Sequence, residues 1–258
     1  MTYRWQHIES DGESFDEGVG HAASIGMIAL SVDRASIADC TDWLAPFPGV
    51  AIFSSRVPMS PVATPETLAG MGVHLADAAL RLVRGSRLDA IAFSCTSGLV
   101  AIGPERVHKT LAAARPGIPI VTPIEAAAQG LCALGVRRLS LLVPYHAEAA
   151  NLVAGYFEDA GFALDRCSTF DLDGDLQMNR LSPAALKQGA RRAMHPDSDG
   201  LFISCTGLRT CGIVADLEAE LGVPVVTSNQ AMSWECLVHA GCEDLARGEG
   251  RLFSVLPA

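Results

Sequence analysis

Short apolar runs rich in Val, Ile, Leu and Phe recur along the chain, and each is bounded by Gly, Pro or Asp. Longer segments rich in Ala, Leu, Glu and Arg separate them, with Pro near the first turn and Gly past the end. This alternation is typical of parallel strands joined by crossover helices, so it predicts an α/β fold. The predicted strands are 25–30, 50–55, 89–94, 118–122, 138–143, 163–170, 199–204 and 223–227. The predicted helices include 65–85, 147–161 and 183–194.

An internal repeat relates the two parts of the chain. Residues 89–96 (DAIAFSCT) match residues 199–206 (DGLFISCT), and residues 117–122 (GIPIVT) match residues 222–227 (GVPVVT) in the same order. Two matched strands at nearly the same interval point to a duplicated unit. We therefore predict two pseudo-symmetric Rossmann-like halves, each a short parallel sheet flanked by helices, with the active site in the cleft between them.

The repeat also sets the expected domain boundaries. Residues 1–123 form the first α/β half and residues 124–225 the second, while residues 226–258 form a C-terminal helical segment that returns to the first half. Residues 1–20 are a polar lead-in. This lead-in is interpreted either as a flexible segment or as an arm that docks on a partner subunit.

Composition and charge exclude several classes of function. The chain of 258 residues is 49% hydrophobic and 19% charged, which excludes disorder as its main state. A net charge of −10 with dispersed basic residues argues against nucleic-acid and anionic membrane partners. Lys109 and Lys187 are the only lysines, so Schiff-base chemistry has few candidate nucleophiles and pyridoxal phosphate is not expected.

Localisation and metal content follow from the N-terminus and the cysteines. The longest apolar runs are strand-sized, and the N-terminus lacks the basic start and apolar stretch of a secretory signal, so we expect a cytoplasmic protein without membrane segments. The eight cysteines form no C-x-x-C pair and are expected to be reduced thiols. His239 and Cys242 come nearest to a metal-ligand pair, and no metal site is predicted.

Two cysteines stand where the repeated strands end. Cys95 and Cys205 each lie in a Ser-Cys-Thr sequence before a loop of small residues. Ligands bind at the carboxyl ends of parallel strands, and loop N–H groups there are expected to lower a thiol pKa. Facing each other across the cleft, the pair suits proton removal on one face and return on the other, or a nucleophile with an acid. A single such cysteine reads as a buried apolar residue; the duplication favours catalysis.

The motifs CTSG (95–98) and SCTGLRT (204–210) carry a family resemblance. Paired cysteines in duplicated α/β halves resemble the aspartate/glutamate racemase superfamily. The chain is most similar to the branch that holds maleate cis-trans isomerase, arylmalonate decarboxylase and the ectoine-utilisation protein EutA, over roughly residues 22 to 245. The wider matching text lies at 63–71, 89–107, 122–145 and 223–237.

The resemblance implies a cofactor-free enzyme whose halves close on a small carboxylate. In maleate isomerase the first cysteine adds to the double bond and the second assists proton transfer, and Cys95 and Cys205 match those positions. Decarboxylases of the branch keep a cysteine only in the second motif. Cys95 therefore favours isomerisation or racemisation over decarboxylation.

Small residues beside the two cysteines are the first candidates for substrate binding. Their hydroxyl or backbone N–H groups would bind a carboxylate and the enediolate that develops from it, although ordinary turn chemistry explains them equally well. These residues are Thr96, Ser97, Gly98, Thr206 and Gly207.

Four larger side chains are further candidates. The resemblance implies that the hydroxyl of Tyr145, at the end of the fifth strand, faces the substrate. Asn151 suits a ligand contact or a place on a helix surface about equally. Arg209 would neutralise a second carboxylate or else lie in solvent, and Arg56 is a similar but weaker case.

Asp33 marks a departure from the resemblance. In maleate isomerases the loop after the first strand typically reads PSSN, whereas this chain reads LSVD at 30–33. An ionised Asp repels a dicarboxylate but suits a substrate that carries a cation beside its carboxylate, such as an amino acid or the amidinium of ectoine. The alternative is that Asp33 caps the next helix and never contacts substrate.

Three functional hypotheses result. The first is a two-cysteine isomerase or racemase acting on a small, zwitterionic carboxylate, as in ectoine or hydroxyectoine breakdown. The second is maleate cis-trans isomerisation or an arylmalonate-type decarboxylation. The third is a non-catalytic protein that binds a metabolite in the same cleft. In each case the partner is a small carboxylate, and a homodimer or higher homo-oligomer is expected from the resemblance.

Overall fold

The computed structural model describes residues 2–242 and 244–257 and contains two four-stranded parallel sheets. All eight predicted strands are present, with ends that differ by a few residues. The first sheet contains β1 (Ala23–Leu30), β2 (Val50–Val57), β3 (Ala90–Phe93) and β4 (Ile120–Val121). The second contains β5 (Arg138–Tyr145), β6 (Ala163–Leu172), β7 (Gly200–Ile203) and β8 (Val225–Thr227).

The two sheets have the same strand order. It is β2-β1-β3-β4 in the first and β6-β5-β7-β8 in the second, with every described pairing parallel. Ile25 of β1 lies opposite Ala90 of β3, and Leu139 of β5 lies opposite Gly200 of β7. The first repeated pair therefore lies in equivalent central strands, β3 and β7, and the second in equivalent edge strands, β4 and β8. This equivalence confirms the predicted α/β fold with two similar halves.

Helices connect the strands, as the pattern predicts. In the first part of the chain they are α1 (Ser36–Leu44), α2 (Pro65–Gly70), α3 (Leu75–Leu80), α4 (Thr96–Ile102), α5 (Pro104–Ala114) and α6 (Pro123–Ala133). The remaining helices are α7 (Ala147–Asp159), α8 (Asp175–Met178), α9 (Pro183–Ala193), α10 (Val214–Leu221) and α11 (Ser228–His239). Short 3₁₀ turns at Leu245–Arg247 and Arg251–Ser254 follow α11.

Helix α11 lies at the centre of the molecule. It packs against α6 and α1 and contacts β3, β4 and β8, so it touches both sheets. Every residue from Ser228 to Leu237 is buried, although several are polar. Thr227 and Gln230 form a capping box at its start, and the indole N–H of Trp234 donates to the Val255 carbonyl at 3.0 Å. The helix is thus tied to both halves and to the C-terminal segment.

The prediction of one continuous helix at 65–85 is wrong. Helix α2 ends at Gly70, a 3₁₀ turn spans Met71–His74, and α3 ends at Leu80. Gly70 and Gly72 have low helix propensity. A Cβ on Gly72 would lie 3.0 Å from Cγ2 of Ile102, so glycine also permits close packing against α4.

The lead-in carries exposed apolar side chains. Among its described residues, Trp5 is 91% exposed and Phe15 is 71% exposed, and the short 3₁₀ turn Gly12–Ser14 buries none of its residues. Elsewhere in the described ranges, no helix combines the length and the apolar character that crossing a bilayer requires.

Candidate functional site

The two predicted cysteines line one cavity between the carboxyl ends of the sheets. Cys95 follows β3 and Cys205 follows β7, and each is buried. The cavity holds about 20 Å³ of free space, enough for about one water molecule. Its lining residues are Leu30, Met59, Ala63, Leu68, Cys95, Thr96, Ser97, Tyr145, Asp175, Met178, Cys205 and Thr206.

Cys95 is the N-cap residue of α4. Its Sγ accepts a hydrogen bond from the backbone N–H of Gly98 at 3.3 Å, and the Ser97 hydroxyl also interacts with the thiol. A Cβ on Gly98 would lie only 2.6 Å from Sγ. Glycine at this position therefore lets the first turn of α4 approach the sulfur.

Cys205 has a strained backbone. Its φ of +104° lies in a region that residues other than glycine rarely adopt. The conformation is held by two hydrogen bonds: the Cys205 N–H donates to Ser228 Oγ at 2.9 Å, and the Gly207 N–H donates to Cys205 Sγ at 3.3 Å. The surrounding contacts thus aim this side chain into the cavity.

Both thiols are protonated in this conformation. Burial, followed by the charge of Asp175, raises the pKa of Cys95 to about 12. The same two causes, in the same order, raise the pKa of Cys205 well above its ordinary value. The expectation of lowered thiol pKa values is therefore wrong for this conformation, because the few N–H groups at each sulfur do not offset desolvation.

Hydroxyl groups join the halves beside the cysteines. Thr206 Oγ1 donates to the Ser94 carbonyl at 3.1 Å, and Thr96 Oγ1 lies 2.9 Å from Ser228 Oγ. Because Ser228 also accepts from the Cys205 N–H, it links both cysteine loops to the start of α11. Ser228 is not among the residues predicted from the sequence, and only its place directly after β8 offered a signal.

Tyr145 also reaches the cavity. It ends β5, is 4% exposed, and its hydroxyl lies 3.3 Å from Ser204 Oγ. Burial, followed by the neighbouring Cys205, raises the pKa of the phenol well above 10, so the hydroxyl remains a hydrogen-bond donor. Its predicted position toward the substrate site agrees with this placement.

Asp175 is the cavity residue of greatest chemical interest among those that sequence patterns did not predict. It begins the short helix α8, after β6, and is 8% exposed. Burial, followed by the charge of Asp33, raises its pKa to about 6. Asp175 belongs to no recognisable motif, because the acidic sequence DLDGD (171–175) is typical of a solvent-exposed turn.

Asp33 does not line the cavity. Its Oδ1 accepts hydrogen bonds from the backbone N–H groups of Ala35 and Ser36 at 2.8 and 3.0 Å, and its Oδ2 accepts from the Ser36 hydroxyl. The structure thus favours the capping alternative over direct substrate contact, because the carboxylate is committed to the start of α1. Its charge still acts on Cys95 and Asp175.

Three polar candidates lie outside the cavity. Asn151 is exposed on α7, beside a surface groove formed with α4 and α5. Arg209 is exposed, and its guanidinium donates to the Leu181 carbonyl at 3.0 Å. Arg56 donates to the carbonyls of Leu30 and Asp33 at 2.6 and 2.7 Å and so orders the loop after β1. Neither Asn151 nor Arg209 lines the cavity that holds the two cysteines.

A further buried network positions the second cysteine loop. Asp39 of α1 accepts hydrogen bonds from the N–H of Thr210, the N–H of Cys211 and the amide of Asn229, all at 2.8 to 2.9 Å.

As for metals, the described residues contain no group of three or more His, Cys, Asp or Glu side chains suited to hold an ion.

Comparisons with known proteins identify relatives over most of the chain. The family model described as arylmalonate decarboxylase matches residues 72–253. Arylmalonate decarboxylase of Bordetella bronchiseptica is 37% identical over 140 residues, which cover 53% of this chain and 58% of that protein. The match therefore spans less than two thirds of that relative.

Maleate isomerases match over a longer range. The Pseudomonas putida enzyme is 26% identical over 212 residues, covering 78% of this chain and 83% of its own. A crystal structure of the Nocardia farcinica maleate cis-trans isomerase, a cysteine-to-serine mutant with a covalently bound succinylcysteine intermediate, superposes with a TM-score of 0.81 at 22% identity. That superposition covers 90% of this chain and 98% of the other, and it shows that the two share a fold.

Proposed function

This chain belongs to the arylmalonate decarboxylase family, and from that membership we propose that it is a cofactor-independent isomerase or racemase in which two cysteines act on a small carboxylate. The observation that carries the proposal is the shared cavity: Cys95 and Cys205 line it from equivalent strand ends of the two halves. Decarboxylation is the alternative within the family.

The proposed reaction moves a proton between the two sulfurs. One cysteine, as the thiolate, removes the proton from the carbon beside the carboxylate, and the C–H electron pair moves into the carboxyl group to form an enediolate. The thiol of the other cysteine returns a proton to the opposite face of that carbon. The two cysteines then have exchanged protonation states, and no electrons are gained or lost.

Hydroxyl groups are proposed to hold the enediolate. Thr96, Ser97 and Tyr145 line the cavity beside the sulfurs. Thr206 also lines it, but its hydroxyl must first release its hydrogen bond to the Ser94 carbonyl before it can donate to a substrate. Fixed donors aimed at developing negative charge stabilise such an intermediate more than the ground state. The burial that keeps the thiols protonated also strengthens these hydrogen bonds once substrate has replaced water.

Within this class we propose a zwitterionic substrate, such as ectoine, hydroxyectoine or an amino acid. Among the described residues, the cavity lining includes one carboxylate and no Lys, Arg or His. A dicarboxylate would bring two negative charges to a site without a cation. The motifs that resemble ectoine-utilisation proteins support the same class.

Maleate-type isomerisation is the second candidate. The Nocardia farcinica relative carries a succinylcysteine, which is a sulfur bonded to the former alkene carbon. In this chain the corresponding step would add the Cys95 thiolate to one alkene carbon and move the π electron pair into the carboxylate on the other alkene carbon. Rotation about the central carbon–carbon bond, which is now single, and loss of the thiolate would then give the trans isomer.

Proton NMR in D₂O tests the proposed function. The purified protein is incubated with ectoine, hydroxyectoine, aspartate, glutamate, maleate and methylmalonate, and deuterium entry or a new product is recorded. Cys95→Ser and Cys205→Ser should each lower the rate at least about 100-fold, the scale of a lost general acid or base. Cys132→Ser, which changes an exposed cysteine, should retain the wild-type rate. Full activity in either cavity variant would refute the two-cysteine mechanism.

A further inference from the structure

Asp175 is a buried carboxylate next to both sulfurs. It is 8% exposed, it lines the cavity, and after burial its charge is the largest influence on each thiol. A Cβ on Gly207 would lie 3.0 Å from Asp175 Oδ1 and 3.4 Å from Cys205 Sγ. The carboxylate and the second sulfur therefore border the same point of the cavity wall, where glycine leaves room for both.

The carboxylate has no cationic partner in the described part of the chain. No side-chain hydrogen bond and no ion pair involves it there, and the one hydrogen bond that lowers its pKa comes from its own backbone N–H. Asp33, by contrast, has both oxygens occupied by the start of α1. A buried charge without a partner is costly, and proteins retain one where a ligand supplies the opposite charge.

We infer that Asp175 binds the cationic group, an ammonium or an amidinium, of the substrate. The inference rests on the proposed function and deepens it, because it names the residue that selects zwitterionic over dicarboxylic substrates. With the cation at Asp175, the substrate carboxylate lies toward the hydroxyls of Thr96 and Ser97, and the carbon between the two groups lies between the sulfurs.

The same contact changes the state of the thiols. The negative charges of Asp175 and Asp33 disfavour a thiolate at Cys95. A bound cation neutralises Asp175 and removes that repulsion, while Tyr145, the other titratable group on the lining, stays protonated. Substrate binding and formation of the reactive thiolate are thus coupled, which keeps the empty enzyme unreactive.

Thiol reagents that differ in charge test the cation site before the substrate is identified. The probes are the aminoethyl (cationic), methyl (neutral) and sulfonatoethyl (anionic) methanethiosulfonates, and mass spectrometry measures labelling of each cysteine. The ratio of the rates of two reagents at one cysteine does not depend on its thiolate fraction, because that fraction multiplies both rates. Exposed Cys132 on the same molecule corrects for the overall charge of −10. We expect Cys95 and Cys205 to prefer the cationic reagent, relative to Cys132, by about 10-fold or more.

The variants assign that preference to one residue. Asp175→Asn should abolish it at both cavity cysteines, whereas Asp173→Asn, at an exposed carboxylate of the same loop, should leave it intact. Circular dichroism verifies folding of both variants. Absence of a cationic preference in the wild type, or its survival in Asp175→Asn, overturns the inference.

Substrate selection separates this inference from the proposed function. For the zwitterion turned over in the NMR panel, Asp175→Asn should raise KM about 100-fold or more, while competitive inhibition by succinate should stay equal or improve. Equal loss of affinity for both ligands would indicate a structural role and overturn the inference. Cysteine-dependent turnover of maleate alone would also overturn it, yet it would leave the two-cysteine function standing.

Discussion

At the scale of single residues, Cys95 and Cys205 are equivalent in sequence but differ in conformation. Cys95 has an extended backbone with φ of −154°, whereas Cys205 has φ of +104°. A non-glycine residue in that region costs about 1–3 kcal/mol, which the contacts with Ser228 and Gly207 must offset. The two thiols therefore have different local geometries in the cavity, although their sequence contexts are nearly identical.

Thiol protonation leads to a prediction about reactivity. Without substrate at pH 7, Cys95 and Cys205 should react with iodoacetamide more slowly than exposed Cys132, because burial and Asp175 raise their pKa values. Their rates should keep rising as the pH increases toward 10. Peptide mapping by mass spectrometry measures the rates, and fast alkylation of either cavity cysteine at neutral pH would contradict the prediction.

At the scale of elements, the contact between α6 and α11 contains an unusual carboxyl group. Glu235 of α11 is 6% exposed, and its Oε1 accepts a hydrogen bond from the Gln129 amide at 3.1 Å. Its Oε2 has no partner within the described structure. Burial, followed by the charge of Glu125, raises the pKa of Glu235 to about 7. This interface is therefore most stable when Glu235 is protonated.

The pH dependence of stability follows from this shift. The ordinary pKa of the unfolded carboxyl is 4.5, so the folded state holds the extra proton between pH 4.5 and about 7. The contribution of Glu235 to the free energy of unfolding is fully present below pH 4.5 and is lost as the pH rises through about 7. Glu235→Gln should remove the loss and stabilise the protein at pH 8 by up to about 3 kcal/mol.

Urea unfolding at pH 5 and pH 8 measures that difference. The advantage of Glu235→Gln over the wild type should be larger at pH 8. Glu158→Gln, at an exposed position of α7, serves as the matched control and should change stability by less than about 0.5 kcal/mol at both values. A Glu235→Gln variant that is less stable than the wild type at pH 8 would show that its carboxylate, not its acid form, is the favoured species.

At the scale of the whole molecule, the two halves meet closely and leave little free space in the cavity. Segments from opposite halves meet above it, since a Cβ on Gly174 would overlap the Pro61 carbonyl oxygen. Met59 and Ala63, on either side of Pro61, line the cavity, as does Asp175 beside Gly174. Because the free space is large enough for only about one water molecule, we expect these segments to separate when substrate enters.

A methyl group at this seam should impair closure. Gly174→Ala places its Cβ against backbone, which does not yield as a side-chain tip does, so the segments must stay apart. We expect kcat/KM to fall about 10- to 100-fold, because closure excludes water and aligns the reacting groups. Gly155→Ala on α7 has nothing within 4 Å of its new Cβ and should keep normal kinetics. Unchanged kinetics in Gly174→Ala would argue against closure as a required step.

Local and repeated patterns in the sequence by themselves determined much of this protein. The apolar runs placed all eight strands, because a buried parallel strand needs a continuous apolar stretch bounded by turn residues. The repeat around Cys95 and Cys205 predicted two similar halves, and the motifs predicted the family to which the relatives belong. Isomerase activity with a decarboxylase alternative also agrees with those relatives.

Only the tertiary structure decided which groups face the cavity and in what state. The sequence placed Asp33 after β1 as a candidate substrate contact, yet its carboxylate accepts hydrogen bonds from backbone N–H groups at the start of α1. Asp175 follows β6 in an acidic loop without a motif, yet folding buries it beside both sulfurs. The pKa values of the two thiols are raised, whereas the sequence predicted that they would be lowered. Desolvation and the distances between charges depend on contacts between distant parts of the chain, which a local sequence pattern does not contain.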